Sequence, residues 1–598
     1  MQFRHAPEGR TFSMIHNNAQ DFFFYQSLMN EGANGAWLTS DPYTSEPHQS
    51  SIIFSYFLWL GKLSQFLGLP YAITYHLVRI ILGIFLLFFA YHLLFFLKIP
   101  YPCLTYLFFL FAAPFMHTLN DGGKITSVPF MNWWTGMDPI RRVAYLPHHM
   151  AGGLFLVMTI ITIIKFMRSH RSSYLFWAII FVPILAFIHT PSLLILLLIL
   201  PPTLIAFILI IKPSKIPIFK GHGLNAGSNR FIIRGDTWRD APAKAGGEDR
   251  NLRKLGVSLQ IGIERAGFGL LVYWAIGLFF LFVMILQTKS GFPWSQYIDW
   301  EKKLQFPLDK ELIGALGILF PFSILGAWQA IRSKKFESIL IVCWLFVPFL
   351  FIPLASKIGL SNIRLIQGVP YLPLSILAIY GIKTIESFIK QPKISILKTE
   401  INAPKIRAIL GADTWRDAFA WAKGKHRNLD KAGVSEKFGI KAAVIGLFLI
   451  LIFSFTFPAF KWSLQDQIRE YWPIFGNVYL DNRLNNAFAF INQNYPPKTI
   501  VLSTFYTGNY LPAFTRTVSY IGHFGYTYNV AEKEKKVMKF FEGNMKEEEA
   551  KEFLTSNKIT LIWHGPEEKP IYSSYLYPKI LKPVYDKEEV TIYTEISN

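Results

Sequence analysis

The apolar positions of this chain fall in blocks of about twenty residues separated by short polar stretches, not at the three-and-four spacing of an amphipathic helix. Twenty residues at 1.5 Å each cross the roughly 30 Å of a bilayer's hydrocarbon, so each block predicts a membrane helix. The blocks lie near 71–97, 101–120, 150–167, 174–189 and 192–211, and then near 266–287, 311–331, 337–355, 368–385 and 442–460. After Lys461 they stop. Short β-branched runs, Thr499-Ile500-Val501-Leu502, Ile559-Thr560-Leu561-Ile562 and Val590-Thr591-Ile592-Tyr593, alternate there with charged helical stretches at 532–541 and 546–556. The pattern predicts a polytopic α-helical membrane protein with about ten transmembrane helices and a small α/β C-terminal domain.

Composition agrees: of 598 residues 52% are hydrophobic and 16% aromatic, which excludes an ordinary soluble chain. The net charge of +21 would suggest nucleic acid in a soluble protein, but no basic stripe interleaved with aromatics appears in a soluble segment. The Lys and Arg instead sit in runs at block ends and in two long loops, 213–265 and 390–441, and this marks the cytoplasmic face. Residues 1–70, the loops between blocks on the other face, and 461–598 are then extracytoplasmic. Cys103 and Cys343 lie inside apolar blocks and form no disulfide framework.

Within 1–70, the block 51–69 contains Lys62 and Gln65, costly in mid-bilayer, so it predicts an interfacial helix. The polar stretch 1–50 then has nothing ahead of it to carry it across, and a missing first membrane helix is the expectation. The two basic loops share a repeat, Asp236-Thr237-Trp238-Arg239-Asp240-Ala241 recurring as Asp413-Thr414-Trp415-Arg416-Asp417-Ala418. Two copies are too few for a solenoid and read as an insertion tolerated in exposed loops.

Candidate chemistry concentrates in the external loops. The first offers Asp21 and Tyr25, then Glu46-Pro47-His48: carboxylates and an imidazole that could supply a general base and a phosphate or metal contact, or simply a solvated loop. The second offers Asp138, Arg141 and Arg142, then Pro147-His148-His149 at the mouth of a helix. Adjacent histidines on a helix point different ways, so a two-histidine metal site is poorly supported. Arg364 reads as an isolated cation, either snorkelling at the interface or clamping a phosphate.

This ordered set resembles the GT-C superfamily of polytopic glycosyltransferases, which includes the protein O-mannosyltransferases and the lipid A aminoarabinose transferases. The resemblance implies a polyprenyl-phosphate-sugar donor entering from the membrane lipid and an unidentified acceptor. Asp21 would deprotonate the acceptor and Arg364 hold the donor phosphate. Asp138 with Arg141 would form a supporting pair, and Tyr25, Glu46, His48, His148 and His149 would line the substrate site. A sugar-phosphate leaving group removes the need for ATP, and no cofactor is required; a divalent metal remains open. The competing function is a transporter or flippase of lipid-linked sugars, against which stands the lack of hydropathy symmetry between the two sets of helices.

Overall fold

A computed structural model describes residues 6–121, 123–134, 136–211, 248–306, 308–389, 435–468 and 479–596. Most of the repeat-bearing loops lies outside the described residues.

The chain opens with strand β1 (Arg10–Phe12), helix α1 (Ala19–Ala33) and helix α2 (Ser55–Leu67). α3 (Tyr71–Phe96) is a full membrane-length helix, as the apolar block at 71–97 predicts. The predicted span at 101–120 is not one. α4 (Pro102–Phe111) has ten residues, and beyond Pro114 the chain turns into the hairpin β2 (Met116–Asp121) and β3 (Lys124–Pro129). The apolar block had hidden the change from helix to strand, because a short apolar run has no period to declare itself.

α5 (Pro147–Ser169) and α6 (Ser172–Ile211) follow. α6 has 40 residues, which would measure ~60 Å if straight, twice the hydrocarbon thickness. Its backbone leaves the helical region at His189 (φ −152°, ψ 75°), two residues before Pro191, which cannot donate to the helical ladder. The blocks at 174–189 and 192–211 therefore form one broken helix. α7 (Glu248–Thr288), α8 (Gln296–Lys303), α9 (Leu308–Leu316) and α10 (Leu319–Arg332) come next. α9 and α10 were expected as one span; they meet at 83° about Gly317, whose φ of +61° suits glycine. α11 (Phe336–Ala355), α12 (Tyr371–Ile389) and α13 (Ser435–Ile468) complete the helical part.

Among the described residues six helices are long and apolar enough to cross a membrane, or seven if the bent pair counts as one, rather than about ten. α12 is outside that set: it carries Lys383 and Glu386, whose Nζ and Oε2 lie 3.0 Å apart.

The C-terminal part contains β4 (Tyr479–Asp481), α14 (Leu484–Asn494), β5 (Ile500–Leu502), α15 (Phe505–Phe514), β6 (Val518–Ser519), α16 (Val530–Phe541), α17 (Glu547–Ser556), β7 (Leu561–His564), β8 (Leu581–Lys587) and β9 (Val590–Glu595). Its five-stranded sheet runs β6-β5-β7-β9-β8, parallel among β6, β5 and β7 and antiparallel across β9. The three β-branched runs and both charged helices appear where the sequence places them. One side of this sheet packs with α16 and α17 through Phe540, Phe541 and Leu554. Val501, Trp563 and Ile592 instead join the apolar core that continues into the membrane helices.

The N-terminal segment belongs to this same structure. β1 pairs antiparallel with β4, and Asn30 of α1 donates to the carbonyls of Pro512 and Thr515 at 3.1 and 2.8 Å. The two ends of the chain thus lie on one side of the helical part. α1 crosses α2 where Gly32 faces Leu58 and Gly61 faces Met29; a Cβ at either glycine would come within 2.1 Å of a backbone oxygen.

Candidate active site

α1 starts at Asn18, whose side-chain oxygen accepts from the Gln20 N–H at 2.9 Å. Asp21 falls in the first turn, where a carboxylate complements the helix dipole. The aromatic run after it is buried: Phe22, Phe23 and Phe24 are each 1% exposed. This run fixes α1 rigidly while Asp21 stays 37% exposed. The Asp21 Oδ1 lies 3.5 Å from Nε2 of His523, in the C-terminal domain. His523 accepts the Gly525 N–H on Nδ1 at 3.0 Å, so its neutral ring carries the proton on Nε2, toward Asp21. Phe24 and Tyr526 hold the ring in place, with centroids 5.7 and 4.4 Å away. His523 carries no spacing signal in the sequence and was missed there.

Tyr25, one turn on from Asp21, stacks on Phe57 at 4.0 Å and meets His148 edge-on at 5.5 Å. Burial, and then the Asp21 charge, pushes its hydroxyl well above the ordinary phenol range. His148, His149 and His189 form one group, with His149 4.5 Å from each of the other rings; His189 is buried and the other two are partly so. The two neighbouring histidines thus converge on a third at the break in α6. Gly152 makes the room, since a Cβ there would meet His189 Nδ1 at 2.4 Å. No group of three metal-ligating side chains with metal-binding geometry occurs among the described residues.

Arg364 is not isolated. It sits in a 3-10 turn, Asn362–Ile366, and its Nε donates to Glu301 Oε1 at 2.9 Å, with a second bond from Nη2. Asp21, Tyr25, His148 and His149 are strung along one connected zone.

The other sequence candidates lie elsewhere. His48 accepts the Asp41 N–H on Nε2 and donates from Nδ1 to the Glu46 carbonyl, both at 2.9 Å, so it staples its own loop. Glu46 pairs with Lys533 Nζ at 2.9 Å and joins that loop to the C-terminal domain. Between them Asp41 is 1% exposed, and burial pushes its carboxyl well above the usual carboxylate range. Asp138 Oδ1 accepts the N–H groups of Ile140 and Arg141 at 2.7 and 2.8 Å, closing a turn. Arg141 pairs with Asp466 of α13.

The neighbouring Arg142 is the buried cation, donating to the carbonyls of Phe109, Ala112 and Met137 with its guanidinium 3.4 Å above the Tyr371 ring. With Trp134, His149 and Gln367 it lines a small cavity of about 50 Å³. Trp134 Nε1, Arg142 Nε and both carboxamide atoms of Gln367 are buried there without a hydrogen-bond partner. Orphaned buried polar atoms cost about 1–3 kcal/mol each, so these three donors and the Gln367 Oε1 acceptor beside them favour a polar occupant of the cavity.

No family model matches the chain, and no curated protein does. Among solved structures it is similar to the archaeal oligosaccharyltransferase AglB from Archaeoglobus fulgidus, in complex with an inhibitory peptide and a dolichol-phosphate. The TM-score is 0.45 at 13% identity, over 92% of this chain and 65% of that one. A second AglB structure, with zinc and sulfate, gives a TM-score of 0.46 at 11% identity, over 97% and 69%. ArnT from Cupriavidus metallidurans in the apo state gives 0.40 at 13% identity, over 97% and 94%. The chain thus spans about 65% of the length of the first of these.

Proposed function

We propose that this protein is a membrane glycosyltransferase that moves a sugar from a polyprenyl-phosphate donor to an acceptor on the extracytoplasmic face. The observation that carries this reading is the cavity of unpaired N–H donors on Trp134, Arg142 and Gln367 beside His149. Donors converging in a desolvated site suit phosphate oxygens, and they stabilise the charge a sugar-phosphate leaving group develops. The phosphate contact is thereby assigned to this cavity, with Arg364 acting at longer range, since Glu301 already holds its guanidinium.

Asp21 is the acceptor base. It is a partly exposed carboxylate on a rigid helix, with Nε2 of His523 facing it at 3.5 Å. Acceptor and donor meet along the zone from Asp21 through Tyr25 to the histidines. Zinc in an AglB structure is a property of that protein.

The full chain in liposomes, given a radiolabelled polyprenyl-phosphate sugar and a crude envelope acceptor fraction, tests the reading. Label moving from lipid into acceptor is the expected result. Label that crosses the bilayer still attached to its lipid would support the transporter instead and overturn the proposal.

A further inference from the structure

A second, larger cavity lies on another face of α1. It measures about 840 Å³, within the ~300–1,000 Å³ range of small-ligand sites, and α1, α2, α14 and α15 wall it. Phe22, Phe23, Gln26 and Asn30 line it, whereas Asp21 points toward His523. Its polar lining is rich in carboxamides, Gln26, Asn30, Asn34, Asn482, Asn485 and Asn492 among them, and also includes Ser64, Asp481 and Arg516. Gln26 is 5% exposed, and Met29 Sδ at 3.9 Å is the partner of its amide. Asn485 is exposed on the rim, and its side chain makes no hydrogen bond with another described residue. Phe514 stacks on Phe488 with centroids 5.2 Å apart and planes 6° from parallel, and it remains 38% exposed.

We propose that this groove binds an oligosaccharide. A carboxamide offers one acceptor and two donors without charge, which matches a hydroxyl group that both donates and accepts. An open aromatic face next to such amides receives the apolar C–H face of a sugar ring. A buried glutamine with so poor a partner is satisfied only when something polar fills the space. At its rim the groove also carries Arg516, shared with an adjoining cavity of about 230 Å³ that Lys498 and Glu31 line, so a bound chain has room to continue. The inference stands on the groove and not on the transfer reaction, and binding is measured apart from turnover.

The purified full chain in nanodiscs, passed over a printed array of neutral and acidic oligosaccharides, tests it. Saturable retention of a glycan class is expected. Gln26→Leu and the rim variant Asn485→Ala should each weaken it by about tenfold or more. Retention of no glycan overturns the proposal, as does retention that neither variant changes. Equal displacement of the bound glycan by a tryptic peptide mixture would reassign the groove to extended peptide and overturn it too.

Discussion

Among the contacts that tie the N-terminal segment to the C-terminal domain, two that pair a carboxylate with a basic side chain are built to opposite specifications. Glu46 and Lys533 meet at 2.9 Å, with Lys533 6% exposed and lying 4.3 Å from the centre of the Tyr520 ring. Asp21 and His523 meet at 3.5 Å, with the carboxylate 37% exposed. The first is a tight clamp: desolvation lowers the Lys533 ammonium from its ordinary range, and Glu46 opposes that shift. The second is loose enough for a third group to enter. Ion pairs that serve the fold are closed and satisfied, whereas a carboxylate that must take a proton is held in place and left accessible.

The largest way to disturb both contacts is to unseat α1, which carries Asp21 and leads into the loop of Glu46. Gly61→Val puts a branched side chain where a Cβ already lies 1.9 Å from the Met29 oxygen. Separation of α1 from α2, with stability falling by about 3 kcal/mol or more, is the expected outcome in thermal unfolding of the detergent-solubilised protein. Lys533→Ala strikes the clamp alone and leaves Glu46 without its cation. A loss of about 2 kcal/mol is expected, since Glu46 is partly solvated, and limited proteolysis should cut within 36–50 faster. No change in either would deny the clamp its role.

His523→Ala strikes the loose contact. Unfolding should change little while transfer falls about tenfold, and His523→Gln should recover part of it by offering an N–H in the same place. Equal losses of stability in the His523 and Lys533 variants would erase the distinction between the contacts. The smallest effect belongs to Glu31, a half-buried carboxyl on α1 that burial pushes up to about 7. Its folded value exceeds the ordinary 4.5, so the folded state holds the extra proton between the two. Stability then falls as pH rises from about 4.5 to 7, and Glu31→Gln should remove that part of the slope, about 1 kcal/mol after solvent screening.

The long apolar helices were legible because crossing a bilayer demands length, which hydropathy reports directly. At 101–120, 311–331 and 174–211 the same hydropathy concealed a hairpin, an 83° bend and a break at His189, because apolarity says where a segment lies and not how its backbone runs. Asp21 and Tyr25 could be singled out as candidates in an external loop, but helix α1, which sets them one turn apart, was not legible there. Nothing in the sequence joins Asp21 to His523 at the other end of the chain, or Arg364 to Glu301 on α8, 63 residues away. Arg142 looked equivalent to Arg141. Only packing distinguishes them: one is buried against Tyr371 and beside a cavity, and the other pairs with Asp466.

The most direct test of the account is Asp21→Asn, measured for donor binding and for sugar transfer in the same preparation. The amide keeps the size of the carboxylate and cannot take up the acceptor's proton. Binding of the polyprenyl-phosphate sugar should stay within about twofold of the unaltered protein while transfer falls by about 10² or more. Transfer at the unaltered rate, with donor binding intact, would contradict the assignment of Asp21 as the base.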